Sequence, residues 1–269
     1  MNLLKRSLEL DSQFFKDVPL SAGTKIIFIL KKYVLLAKNI LGGFTPGKSS
    51  VNVMGINYYY EDKFGIAFLQ SVFVDHYFLG HFIKPGSIVI DVGANIGQFH
   101  FFCKSFLKAS QVFSFEPVPK TFSLLKKNAP ENECYECAIT THESLTLHIP
   151  DTSLMASVLP GPNDQEKVVV KGRKLDDIPE VKALDHIDLL KIDAEGAEFD
   201  VLKASAEALR KSKYVFIEVS VSRVPSPDED FFAILKLVRE ISPGIQLVHV
   251  GRQYFEDDRL FAIDLMFAN

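Results

Sequence analysis

Ser87-Ile88-Val89-Ile90-Asp91-Val92 is apolar at nearly every position, so its alternating side chains offer no polar face to water. Such a segment suits a strand buried on both sides, as in a parallel sheet covered by helices. It runs directly into Gly93-Ala94-Asn95-Ile96-Gly97, where a helical pattern from about Ile96 to Leu107 begins. Small residues at a strand-to-helix turn let a ligand approach the backbone, and the first helical turn presents unpaired N–H groups. A covered strand ending in a glycine turn is the generic nucleotide-binding unit of α/β proteins.

The rest of the chain continues that rhythm. Strand-like runs at Gln111–Phe115, Glu133–Ile139, Ile187–Ile192 and Tyr214–Val219 alternate with helical patterns, and Gln246–Val250 and Leu260–Phe267 close the series as an antiparallel pair. Parallel neighbours need crossovers, so this spacing predicts a doubly wound sheet. Residues 1–85 differ in texture. A helix over about Thr24–Leu41, turn residues at Gly42-Gly43 and Pro46-Gly47, short strands around Gly55 and a helix near Val72–Phe82 mark them as an N-terminal extension. The α/β domain then spans 86–269. His142–Leu175 interrupts the alternation with two extended pieces around the Pro150–Pro162 loop, a length expected of a lid or binding loop.

Thirty Lys and Arg against 34 Asp and Glu give a net charge of −4, which speaks against nucleic acid held through a broad basic face. Three cysteines make no disulfide framework, so a reducing, cytoplasmic compartment is expected. Ile26–Leu41 is interrupted by Lys31, Lys32 and Lys38, short of the ~20 mostly apolar residues of a membrane span. Residues 24–41 suit an amphipathic helix, packed on its own domain or lying peripherally on a membrane. Oligomeric state cannot be derived from the sequence.

The turn is Gly-x-Asn-x-Gly, with a side chain at Asn95 where a dinucleotide's pyrophosphate would press. Asp91 at the strand end repels phosphate and attracts an ammonium, which suits an amino-acid-bearing nucleoside better than NAD. Phe115-Glu116-Pro117 ends the next strand, and an acid there, ~20 residues past the turn, can accept ribose hydroxyls. A helix-opening acid is the alternative for Glu116.

Val-Ile-Asp-Val-Gly-Ala-Asn-Ile-Gly (89–97), Phe-Glu-Pro-Val-Pro (115–119) with Leu125 and Asn128, and Leu-Leu-Lys-Ile-Asp-Ala-Glu-Gly-Ala-Glu (189–198) together resemble the FkbM-type methyltransferases, a branch of the class I S-adenosylmethionine-dependent enzymes. The resemblance runs from about Gly86 to the C-terminus; Ala194 departs from the branched apolar residue usual there. It implies a Rossmann-like seven-stranded sheet with S-adenosyl-L-methionine as cofactor. The implied reaction is O-methylation of a hydroxyl on a sugar, glycan, glycolipid or secondary metabolite. Carried over, Asp91, Gly93, Asn95 and Gly97 hold the methionine part, Glu116 the ribose, and Ala138 and Ile139 flank the adenine.

Alternation along the strand puts Lys191 and Asp193 on one face. Methyl transfer needs alignment of acceptor and donor and removal of the hydroxyl proton. Asp193 is the first candidate for base or acceptor orienter, with Glu195 and Glu198 as alternatives. Lys191 would tune Asp193, and Glu218 would help bind the acceptor. Glu198 also opens a helix, where acids are common anyway. No metal is expected, Mg²⁺ on the clustered acids being the open alternative. Two other classes stay in play: methylation of another nucleophile (an RNA ribose or an amine), and a noncatalytic Rossmann-like nucleoside-binding scaffold. Cys134 and Cys137 are expected to be structural, and His100 to lie on a helix surface.

Overall fold

A computed structural model describes residues 3–43, 45, 48–60, 64–150, 156–159, 164–222 and 224–269. Two helices, α1 (Leu3–Asp17) and α2 (Ala22–Lys38), precede a hairpin of β1 (Ser50–Val53) and β2 (Ile56–Tyr59) and then α3 (Gly65–His76). The alternating part begins with β3 (Ile88–Val92), α4 (Gln98–Phe102), β4 (Gln111–Phe115), α5 (Pro119–Asn128), β5 (Cys134–Tyr135) and β6 (Ala138–Ile139). After β7 (Ser144–Pro150) and β8 (Asp164–Arg173) come α6 (Pro179–Lys182), β9 (Ile187–Ile192), α7 (Glu198–Ala204), α8 (Ala206–Lys211) and β10 (Ser212–Ser220). The chain closes with α9 (Phe231–Ile241), β11 (Gln246–Glu256) and β12 (Arg259–Ala268).

Among the described residues seven strands form one sheet in the order β11-β12-β10-β9-β3-β4-β5. β5, β4, β3, β9 and β10 run parallel, while β12 is antiparallel to both β10 and β11. Winding proceeds outward from β3 through β4 and β5, then restarts on the other side at β9. The C-terminal edge between β3 and β9 is therefore the switch point, where open α/β sheets leave room for ligands. β6, β8 and β7 form a second, three-stranded sheet.

Each face of the large sheet has its own core. Val89, Leu189, Phe216 and Met266 pack with α3 and α4 and with Phe14 and Phe28 of the first two helices. Phe73 of α3 sits at the centre of that core, in edge contact with Phe14, Phe28, Phe101, Phe102 and Phe106. Ile90, Leu190, Ile192, Val215 and Ile217 face the other way, onto α7, α8 and α9. Alternate residues of each central strand thus enter opposite cores, which is why these strands carry almost no polar positions.

Several elements depart from expectation. The run 133–139 is two strands: β5 pairs with β4, then the chain leaves the large sheet at Glu136 and β6 pairs with β8. Cys134 and Cys137 accordingly enter two different apolar clusters, both as buried free thiols. α1 was not anticipated, although its apolar residues recur at helical spacing and bury Phe14 in the core. α3 starts at Gly65, ahead of the Val72 expected.

α2 packs with Lys25 and Lys32 inward. Lys25 Nζ donates to the Phe15 carbonyl at 2.6 Å. Lys32 bonds Asp11 and, at 2.9 Å, Ser7 Oγ. Tyr33 donates to Oδ2 (2.6 Å) and Gln70 to Oδ1 (2.9 Å) of the same Asp11 carboxylate. A buried ammonium is tolerable when it is paired and hydrogen-bonded in this way.

Candidate active site

Where β3 ends, Gly93 N and Ala94 N both donate to the Phe115 carbonyl (3.1 and 3.0 Å), which folds the turn back onto β4. Asp193 N donates to the Val92 carbonyl at 3.1 Å, so β9 closes against the same turn. A Cβ on Gly93 would lie 1.8 Å from the Asp193 carbonyl oxygen, and its φ is +79°. No other residue fits there. Asn95 also adopts a left-handed φ of +52°, and its Oδ1 accepts from Ile96 N at 2.7 Å.

Glu116 ties two loops together. Its Oε2 accepts from Asn95 N at 3.0 Å and its Oε1 from Val118 N at 2.9 Å. Burial pushes the carboxyl up to about 7, against the pull of those two N–H groups toward the ionised form. Each oxygen retains a second lone pair for a further donor. Gly97, with φ +90°, lies under the turn, where a Cβ would sit 3.0 Å from Leu125 Cδ1 of α5. Asn128 completes the support, donating to the Ile96 carbonyl at 2.6 Å and bonding both backbone groups of Tyr59.

One cleft at the switch point is lined by Gly93, Asn95, Glu116, Ala138, Ile139, Asp193 and Glu195, all singled out in the sequence. Leu145, Leu147, Ala156 and Val158 add an apolar wall. Asp91, Gly97, Lys191, Glu198 and Glu218 stand outside that lining. Asp91 is fully buried beneath it, and Lys191 Nζ bridges Asp91 Oδ1 (3.0 Å) to Asp193 Oδ2 (3.3 Å). Glu198 is also buried, and its Oε1 accepts from Gly196 N at 2.7 Å, which fixes the turn after Asp193. Burial raises Glu198 to about 7.

A row of acids crosses the sheet edge beside the cleft. Glu218 of β10 stands directly opposite Asp264 of β12, and oxygens of Asp193, Glu195 and Glu218 lie within 4.8 Å of one another. Burial, then the charges of Asp193, Asp264 and Glu195, push Glu218 up to about 10. Asp264 is raised to about 7, mainly by burial, and only its Oδ2 is engaged, by Arg252 N at 3.3 Å. Arg252 itself is held at 2.6 Å by Asp75 of α3. Asp264, Arg252 and Asp75 were not recognised from the sequence, because their meeting depends on strands and a helix far apart in it. The one local sign was Asp264 itself, a lone acid inside an apolar closing strand.

The long loop reaches the site. His148 and Ser157 exchange backbone bonds at 2.8 and 3.0 Å, and Ser157 Oγ donates to the Glu195 carbonyl at 2.6 Å. Glu195 takes a left-handed φ of +47°, a conformation that side chains of its size rarely hold without support. Residues 151–155 and 160–162 of the expected lid lie outside the described residues. His100 is buried, not on a helix surface: its side of α4 faces β4, where its Nδ1 meets Ser114 Oγ at 3.0 Å. Desolvation lowers its pKa to about 3, which keeps the ring neutral.

A sheet wound in this order, closed by an antiparallel strand and carrying acids at the ends of its parallel strands, is the fold of the class I methyltransferases. Residues 91–241 match the family model of the methyltransferase FkbM domain, and the chain belongs to that family. Methyltransferase 1 of Beauveria bassiana is 29% identical over 160 residues, 50% of this chain and 64% of that protein. The match therefore spans a little under two thirds of that relative's length. The 31-O-demethyl-FK506 methyltransferase FkbM of Streptomyces tacrolimicus is 27% identical over 176 residues, 52% of this chain and 68% of its own. The hexuronic acid methyltransferase AglP of Haloferax volcanii is 28% identical over 165 residues, with coverage of 59% and 66%.

Proposed function

We propose that the protein is an S-adenosylmethionine-dependent O-methyltransferase acting on a hydroxyl of a sugar, glycan, glycolipid or secondary metabolite. The observation that carries this reading is the single cleft in which Glu116, the Gly93–Asn95 turn and Asp193 face one another. The donor set fits a cationic nucleoside. Glu116 offers spare acceptor capacity for ribose hydroxyls, Ala138, Ile139 and Leu145 make a flat apolar wall suited to a purine, and the neighbouring acids favour a positive charge. A phosphate-bearing dinucleotide would meet those same acids as repulsion.

When bound, S-adenosylmethionine supplies a methyl group already activated on sulfur. The protein's part is then to align the acceptor and manage its proton. Asp193 is half-buried at the cleft, and Lys191 holds one of its oxygens at 3.3 Å. That contact orients the carboxylate, which takes the acceptor's hydroxyl proton as attack proceeds. Glu218, held protonated by burial and then by its acidic neighbours, can donate a hydrogen bond to an acceptor oxygen. The Ser157–Glu195 contact holds residues 156–159 at the cleft, where Ala156 and Val158 add to its apolar lining. The names of two relatives, the 31-O-demethyl-FK506 methyltransferase and the hexuronic acid methyltransferase, support hydroxyl acceptors of these kinds.

The test pairs two measurements on the intact chain. Calorimetric titration with S-adenosylhomocysteine should show binding, with NAD showing none. Methyl-labelled donor and a panel of hydroxylated sugars and polyketides should show transfer that Asp193→Asn suppresses. Binding without transfer to any acceptor would favour a nucleoside-binding scaffold, and NAD binding would overturn the reading.

A further inference from the structure

α2 buries Lys25, Phe28 and Lys32 and presents a second apolar stripe to solvent. Ile26, Ile27, Leu30 and Val34, three to four residues apart, are 49%, 55%, 60% and 67% exposed, and Ile40 and Leu41 just beyond are 69% and 86% exposed. Lys25 and Lys32, which would make the wet face of an ordinary surface helix, are instead fixed against α1. A helix packed on a domain normally turns its apolar stripe to the core. A contiguous outward stripe of this length marks a contact surface.

Charge identifies what covers it. Residues 18–60 contain Lys25, Lys31, Lys32, Lys38 and Lys48 and not one Asp or Glu, in a chain whose net charge is −4. Of these, Lys38 on α2 itself and Lys48 are exposed. An apolar stripe bordered by one sign of charge complements a bilayer surface with anionic headgroups, where aliphatic side chains enter the acyl boundary and ammonium groups meet phosphate. Among the described residues no helix is long and apolar enough to cross a membrane, so the contact lies in the plane of the interface.

We propose that the outward face of α2, continued by Ile40 and Leu41, docks the protein on an anionic lipid bilayer. The docking is independent of methyl transfer, since none of these residues lines the cleft.

The experiment is co-sedimentation of the full chain with vesicles of phosphatidylcholine alone or with roughly one third phosphatidylglycerol. Binding is expected to the anionic vesicles, weakened about tenfold or more by Leu30→Gln/Val34→Gln and by raised salt. Both positions are exposed, and the thermal unfolding midpoint and S-adenosylhomocysteine affinity serve as controls for the fold. Should that variant unfold, Lys38→Glu/Lys48→Glu, which alters no apolar packing, should abolish the preference for anionic lipid. Absence of wild-type sedimentation, or equal sedimentation with both vesicles, would overturn the proposal. So would a wild-type dimer in sedimentation equilibrium that Leu30→Gln/Val34→Gln dissociates without any vesicle binding, which would make the face a contact between copies.

Discussion

Glu116→Gln probes the cofactor end of the cleft most directly. In the wild type both carboxylate oxygens accept backbone N–H groups, from Asn95 at 3.0 Å and Val118 at 2.9 Å. A carboxamide has one accepting oxygen, so one of the two donors must lose its partner and face an NH₂ group instead. The orphaned donor, at about 1–3 kcal/mol, weakens the free and the bound protein alike; affinity falls because two ribose hydroxyls lose a charged acceptor, each such bond being worth about 1.5–3 kcal/mol. Affinity for S-adenosylhomocysteine should therefore fall by roughly 10- to 100-fold at pH 8. The pH dependence supplies a second, sharper criterion. With the Glu116 carboxyl at about 7, roughly one molecule in eleven is ionised at pH 6 and ten in eleven at pH 8. If the ionised form binds, wild-type affinity rises up to about tenfold across that interval, whereas the Gln variant stays flat. Calorimetry at both pH values reads both quantities. Equal affinity of the two proteins at pH 8, or a pH-dependent variant, would refute the assignment of Glu116 to the ligand.

Asp193→Asn should lower kcat by about 100-fold or more while leaving S-adenosylhomocysteine affinity within a factor of two or so, as single-turnover transfer assays can show. Lys191→Met leaves the fully buried Asp91 without its cation and should destabilise the fold by about 3 kcal/mol, measured as a lower urea midpoint. Glu116, Glu198 and Asp264 are all raised to about 7 from ordinary values near 4. Between those limits the folded chain binds more protons than the unfolded one. Their contribution to stability is fully present below about pH 4 and is lost as pH rises through 7, so urea midpoints should fall from pH 6 to pH 8. Gly93→Ala places a methyl group on the Asp193 carbonyl and should abolish both binding and transfer, with a lowered melting midpoint.

The parallel strands and the cleft were legible because their signals are local. A run buried on both faces, a glycine turn and an acid at the next strand's tip each occupy a few consecutive residues, and β4 and β9 match their expected bounds. The break between β5 and β6 was hidden, since Glu133–Ile139 has strand-like chemistry throughout and only pairing decides where it divides. The orientation of α2 was hidden for a related reason. Its lysines look solvent-bound until Asp11 of another helix is placed beneath Lys32. His100 and the Asp264–Arg252–Asp75 chain likewise depend on partners from distant segments. Sequence periodicity reports which side of an element is apolar; it does not report which side a neighbour will cover.

The division at Glu136 has a mechanical consequence. Gly93, Glu116 and Asp193 are anchored to the large sheet, while Ala138, Ile139, Leu145 and Leu147 belong to the small one. The cleft is thus a seam between two sheets with separate ladders, bridged by Thr140 and Thr141 to Asp200 of α7 and by Ser157 to Glu195. A change in the length or tilt of the β7–β8 ribbon alters how wide the seam opens without disturbing the register that aligns Asp193 with the glycine turn. The apolar wall can then be reshaped by the small sheet alone, while the carboxylates stay in place on the large one.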